Sequence, residues 1–288
     1  MAAEIETVLE QIGTRLRRDA NVEIPYSRWY SSVEKRRSRR QFDPTRAIES
    51  DLLAALGTFC AEFRPFPHAR AKLVTKSADK VFKGAIGSYG KIKDAPAFVA
   101  FIGKMESPHV QEEVGYTGEG IILEATALQL NTCWVAGFFK PELAASLAGA
   151  GENERVLAVT PVGYAKEFES LEEKLMTGFG VTHRRKPLSN LATGLKAPEW
   201  SDWMRVALEA ARLAPSAVNR QPWRFLVQKD SITISVDSLG LDFSVSKRLD
   251  CGIAMLHIEV AALNFGVQGK WELLDSPLVA RFTIRCNE

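Results

Sequence analysis

Two short runs carry the side chains best suited to chemistry. The first, Arg36-Arg37-Ser38-Arg39-Arg40-Gln41-Phe42, is the densest basic cluster in the 288-residue chain. By composition alone it reads as a solvated helix face or a polybasic patch for nucleic acid. Its setting points elsewhere: a serine sits inside it, Phe42 offers an apolar anchor, and Asp43-Pro44 signals a turn. Guanidinium forks with a hydroxyl donor suit a compact phosphate, which accepts several charge-assisted hydrogen bonds at once. The second run is Ala214-Pro215-Ser216-Ala217-Val218-Asn219-Arg220-Gln221-Pro222-Trp223. Pro, Ser and Asn are common turn formers, so an ordinary loop between helix and strand is one reading. The amides of Asn219 and Gln221 beside an aromatic ring could equally hydrogen-bond the polar edge of a heteroaromatic while limiting water.

Other chemistries find little support. There is no H-E-x-x-H, G-x-S-x-G or Walker loop, and the scattered glycines make no Rossmann fingerprint. Of the four histidines, His68, His109 and His183 read as structural or surface residues, and His257 as a satisfied core histidine in an apolar helix. Cys60, Cys133, Cys251 and Cys286 are widely spaced and form no C-x-x-C pair. That argues against a zinc or disulfide framework and fits reduced cytosolic thiols. A formal net charge of +2 leaves any attraction for a polyanion to local clusters.

The elements that must position these runs follow from periodicity. Ile5, Val8, Leu9, Ile12 and Leu16 share one face of an expected N-terminal helix, whose acidic residues do not suit a signal peptide. No stretch reaches the roughly 18 apolar residues that span a bilayer, so a soluble, cytoplasmic protein is expected. After Pro25 a short aromatic and basic passage leads into the arginine run. Ile48, Leu52, Leu53 and Leu56 are spaced for a helix, and the stretch from Ala61 to Arg70 should be irregular. AKLVTK, APAFVAFIG and VLAVTPVG read as strands, with GEGIILEATALQLN between the last two as a helix apolar on nearly every face. Such a helix must be enclosed by protein. Residues 165 to 200 read as a connection between two halves.

Beyond it a similar order returns. EWSDWMRVALEAARLAP is a helix stopped by Pro215, WRFLVQ, SITISVD and RFTIR are strands, and GIAMLHIEVAALNFG is again an apolar helix. EATALQLN from Glu124 and EVAALNFG from Glu259 agree at the Glu, at Ala127 with Ala262 and at Leu128 with Leu263, an offset of 259 minus 124, or 135 residues. LLAALGTFC and ALEAARLAP also share a helix pattern. Internal duplication is the expectation.

RRSRRQF resembles the R-R-S-x-R-x-F opening of the nitroreductase superfamily of FMN-dependent oxidoreductases, and APSAVNRQPWRF is similar to that superfamily's A-P-S-x-x-N-x-Q-P-W-x-F segment. Weaker echoes are Lys91 to Pro96, Cys133 to Phe138, and the P-x-G-Y and R-x-P-L signals at Pro161 to Tyr164 and Arg185 to Leu188. The similarity touches most of residues 33 to 266. It implies an α+β fold of mixed sheets with packed helices, FMN as cofactor and NADH or NADPH as electron donor. The implied acceptor is a small electron-poor molecule such as a nitroaromatic or quinone, with chemistry centred on the flavin and no catalytic side chain. Carried over by position, Arg36, Arg37, Ser38 and Arg40 would hold the phosphate and ribityl chain, aided by Arg185. Ser88 and Lys91 would contact the ribityl chain or the pyrimidine edge. Ala136 and Gly137 would bring backbone groups near N5, and Pro215, Ser216 and Asn219 would close the site. A surface lysine at 91 and a turn glycine at 137 stay open as readings.

The order of motifs departs from the family. Ordinary members carry the APS segment about one helix after the RRS segment and pair as two identical chains. Here that place holds Phe59 to Pro65, which does not match, and the APS run follows the arginines by about 175 residues. An intramolecular version of the dimer accounts for this: one half supplies the phosphate ligands and the other the APS loop across a pseudo-twofold interface. The divisions expected are a lead-in over 1–30, a first half over 31–165, a connector over 166–197 and a second half over 198–288. One FMN per chain is expected, in a monomer or weak homodimer with no nucleic-acid or membrane partner. The alternatives are a flavin-binding or sensory protein without turnover and, further off, a basic nucleic-acid binder.

Overall fold

The computed structural model describes residues 23–82, 92–166, 184–239 and 245–285. The expected N-terminal helix, Ser88, Lys91, His183 and Cys286 lie outside the described residues.

The helices are α1 (Tyr26–Lys35), α2 (Ser50–Glu62), α3 (Ala78–Phe82), α4 (Val110–Ala127), α5 (Pro141–Ala148), α6 (Asp202–Leu213) and α7 (Lys247–Asn264). The strands are β1 (Ala69–Val74), β2 (Ala97–Lys104), β3 (Asn131–Thr132), β4 (Glu154–Gly163), β5 (Ala192–Gly194), β6 (Trp223–Gln228), β7 (Ser231–Val236), β8 (Gly269–Leu273) and β9 (Leu278–Ile284). They form an antiparallel sheet of order β1-β2-β4-β3 and a mixed sheet of order β5-β6-β7-β9-β8, in which β5 runs parallel to β6. This is an α+β fold.

Strand β2 shows why the first sheet is sandwiched. Only Lys104 at its end is exposed, and successive residues face opposite ways. Val99 and Phe101 enter the main core with α4, while Phe98, Ala100 and Ile102 enter a smaller one with α3 and α5. A strand covered on both faces reads as a continuous apolar run, as AFVAFIG does.

The main core is organised by α4 and α7, each 18 residues long and buried on almost every face. They can cross closely because glycines stand at the crossing. A Cβ on Gly115 would lie 2.1 Å from the Leu249 carbonyl oxygen, and one on Gly252 would lie 2.1 Å from that of Glu112. The contact is reciprocal. Its partners are related by 137 positions, 252 minus 115 and 249 minus 112.

Several elements differ from the sequence expectations, and α3, α5 and β3 were not anticipated at all. The passage after Pro25 is a helix, α1, because Trp29 and Val33 stand one turn apart on a buried face, Trp29 packing edge-on to Phe59 and Phe63. The stretch read as a connection contributes β5, whose three residues pair Ala192 with Phe225 through Gly194 with Val227. The hairpin partner of β9, β8, was not anticipated. No helix among the described residues is long and apolar enough to cross a membrane.

Candidate functional site

The arginine run begins where α1 ends. Arg36 caps the helix, donating its backbone N–H to the Ser32 carbonyl at 2.9 Å, and the chain then extends. Ser38 bridges to Thr132 in β3, and the Arg39 amide donates to the Thr132 carbonyl at 2.9 Å. Further along, Gln41 bridges to Lys93 and Phe42, fully buried, to Ala165. The run is thereby pinned along the edge of the first sheet, and Arg40 takes part through its carbonyl, which accepts from the Lys93 amide at 2.9 Å.

Pinning the backbone aims the side chains. Arg37 turns back along the chain, donating to the Arg36 carbonyl at 2.9 Å and to that of Glu34. Arg36 turns inward. It is 7% exposed, one terminal nitrogen lies 3.4 Å from Ser38 Oγ, and its Nε has no hydrogen-bond partner. A buried donor left unmade costs on the order of 1–3 kcal/mol, more when charged, so a ligand oxygen here would recover what the fold leaves unsatisfied. Burial pushes the Arg36 pKa down, against the opposing pull of Glu119.

Glu119, fully buried in α4, is the anion behind this guanidinium. Its Oε1 is 4.0 Å from Arg36 Nε, and its Oε2 accepts the Trp134 indole N–H at 2.7 Å. Gly118 makes the second contact possible, since a Cβ there would stand 2.4 Å from the Trp134 ring. His257 on α7 brings Nε2 to 2.9 Å from Glu119 Oε1 and Nδ1 to 2.8 Å from the Ala210 carbonyl of α6. Ala136 and Gly137 follow closely, in a bend after Val135, which bridges to Val159.

The APS run enters through Arg185. This side chain donates to Asn219 Oδ1 and, at 3.0 Å, to the Leu213 carbonyl at the end of α6. Its pKa falls to about 10, through burial first and then the repulsion of Arg36, Arg212 and Arg37. Arg185 is thus in electrostatic reach of the first arginine run while bonded to the second. Around it the loop is tied down: Asn219 Nδ2 donates to the Arg184 carbonyl at 2.9 Å, and the Gln221 amide donates to Ser216 Oγ at 3.0 Å. Gln221 Oε1 accepts the Lys186 amide at 2.7 Å. Asp250 of α7 holds the loop from below, accepting Ala217 N–H at 3.2 Å and Arg220 Nε at 2.7 Å. Val218, Asn219 and Gln221 have φ of 47°, 56° and 50°, left-handed values that such residues adopt only when surroundings impose them. Pro215, between α6 and this loop, ends the helix.

The structure therefore gathers Arg36, Arg37, Ser38, Arg185 and Asn219 around one cationic region, with Ser216 in the same loop as Asn219 and Ala136 and Gly137 two and three residues beyond Trp134. Glu119, His257, Trp134 and Asp250 were not anticipated as parts of it. A signal existed for Glu119, a carboxylate flanked by two glycines in a segment with few polar residues. Of the remaining histidines, His68 faces the buried Glu113 and His109 the buried Glu112 in the first turn of α4. Cys60, Cys133 and Cys251 are free and buried.

The family described as "Putative TM nitroreductase" matches residues 29–262. A Thermotoga maritima protein described as a "putative nitroreductase" superposes with a TM-score of 0.60 at 19% identity, over 89% of this chain and 93% of its own. A nitroreductase family protein of Clostridium difficile gives 0.42 at 19% identity, over 57% of this chain and 94% of its own. A Bacteroides fragilis nitroreductase with bound FMN gives 0.40 at 18% identity, over 50% and 91%. No curated protein matches the sequence. With the family match spanning residues 29–262 and so both arginine-lined segments, this chain belongs to the TM nitroreductase family, among the nitroreductase-like oxidoreductases.

Proposed function

We propose that the chain is an FMN-dependent oxidoreductase. It would pass two electrons from NADH or NADPH to a small electron-poor acceptor such as a nitroaromatic or quinone. The observation that carries this reading is the buried Arg36 Nε, which makes no hydrogen bond, with Arg37 and Arg185 in electrostatic reach of its guanidinium. Guanidinium groups crowded in this way repel one another, and a dianionic phosphate monoester answers both the repulsion and the missing acceptor.

Arg36, Arg37, Ser38, Arg40 and Arg185 would hold the phosphate and ribityl chain. Pro215, Ser216 and Asn219 would close the site from the other half, and the backbone of Ala136 and Gly137 would stand by the ring. Ser88 and Lys91 keep the roles that the resemblance implies. When bound, the flavin supplies the two-electron chemistry, and the protein's part is to bind, orient and exclude water. The reciprocal crossing of α4 and α7 supports the reading that one chain does the work of a dimer, with one composite site in a cytoplasmic monomer. Steady oxidation of NADH or NADPH by the purified protein on adding a quinone is the expected result. A yellow protein that oxidises neither would overturn the assignment of turnover and leave flavin binding alone.

A further inference from the structure

One carboxylate oxygen stands between a histidine and a guanidinium. Glu119 Oε1 lies 2.9 Å from His257 Nε2 and 4.0 Å from Arg36 Nε. The first separation is a hydrogen bond and the second is not. The histidine is itself fixed: the Ala210 carbonyl, 2.8 Å from Nδ1, can only accept, so Nδ1 donates there. The other carboxylate oxygen is fixed by Trp134 at 2.7 Å. His257 comes from α7 and Ala210 from α6, both beyond the 165–200 stretch, whereas Glu119 and Arg36 precede it.

We propose that His257 is a positioning residue that holds Glu119 back from Arg36, keeping the Arg36 Nε–H open for an anionic ligand. The proposal rests on the flavin reading above. Released from His257, the carboxylate could pivot about its Trp134 anchor and close the gap to Arg36 Nε. That movement would satisfy the donor and neutralise the guanidinium, removing both features that a phosphate needs. Binding would then first have to break a buried, charge-assisted hydrogen bond. Held as it is, the site is preorganised, and the cost of leaving one donor unmade has been met during folding. The second half thus contributes to the phosphate site from behind, through a contact that never touches the ligand.

A histidine that merely cross-links the core would behave differently, and two near-isosteric variants separate the cases. Gln reaches as far as Nε2 and keeps a donor for Glu119, whereas Asn reaches only to the position of Nδ1 and keeps the bond to Ala210. FMN affinity of flavin-stripped protein, read by quenching of FMN fluorescence, should fall about tenfold or more in H257N and stay within roughly threefold of wild type in H257Q. E119Q should bind FMN at least as well as wild type, because no carboxylate remains to cap Arg36. In the E119Q background the H257N penalty should disappear. Melting temperatures recorded alongside identify any variant that fails to fold; should H257N do so, H257S, which likewise reaches no donor to Glu119, is read in its place with the same expected loss. Equal losses in H257N and H257Q, an undiminished H257N penalty in E119Q, or a tenfold loss in E119Q itself would each overturn the proposal. All variants binding as wild type does would overturn it while leaving the flavin reading intact. Wild-type protein that takes up no FMN would remove both.

Discussion

Arg185 joins the two segments that define the site: its guanidinium donates to the side-chain oxygen of Asn219 while lying close enough to Arg36 and Arg37 for their charges to lower its pKa. The two arginine-bearing runs, far apart in sequence, are therefore read by one side chain. Asn219 keeps the guanidinium facing the first run by occupying one of its donors and by binding the neighbouring Arg184 carbonyl at 2.9 Å. N219A should weaken FMN binding about tenfold through this lost orientation, with little change in melting temperature. Unchanged affinity in a fluorescence titration would show that Asn219 only shapes the loop.

Arg36 sets stability against function. Its buried Nε has no partner, so a methionine of similar length would relieve an unmade hydrogen bond and a buried charge. R36M should stabilise the flavin-free protein by about 1 kcal/mol. The same change should reduce FMN affinity by roughly a hundredfold, as expected for a lost charge-assisted contact. Denaturant unfolding and flavin titration measure the two effects separately. A variant less stable than wild type would mean that Glu119 needs Arg36 more than a ligand does.

Asp250 gives stability a pH dependence of predictable sign. Burial raises its pKa from 3.8 to about 6, outweighing the opposing influence of Arg220. A carboxyl group raised on folding contributes stability that is complete below its ordinary pKa and is lost as pH rises through the folded value. The stability of wild type relative to D250N should therefore decline between pH 3.8 and about 6. Thermal melts across that window give the slope, and parallel curves would contradict the assignment.

Two glycines in helices should respond in opposite ways. G252A would drive a Cβ to 2.1 Å from the Glu112 carbonyl oxygen, a backbone atom that yields only if α4 and α7 separate. A loss of about 2 kcal/mol or more is expected. At Gly57 in α2 the nearest atom, Leu73 Cδ2, would be 3.6 Å away, an ordinary contact. G57A should stabilise by about 0.5–1 kcal/mol through helix propensity. Equal effects in chemical denaturation would mean that the crossing is looser than described.

What could be read in advance divides along physical lines. Strands such as WRFLVQ and SITISV announced themselves by alternation and β-branched residues, and they appear as β6 and β7. The two apolar helices were legible because a helix without a polar face must be enclosed. Strand β5 was not, since Ala192, Thr193 and Gly194 have no periodicity and are strand only through pairing with β6. Helix α1 was hidden because its buried apolar stripe is two residues, Trp29 and Val33, among charges, tyrosines and serines. Within the site, the arginines and the APS loop could be picked out by residue type, but Glu119 and His257 are 138 residues apart and nothing local couples them. Partnership of that kind exists only once α4 and α7 have crossed.

The most direct test is the amount of flavin the protein carries. After denaturation, released FMN quantified by absorbance against protein concentration should give one molecule per chain. None would contradict the reading of the arginine cluster as a phosphate site, and two would contradict the composite site with a lost mirror image.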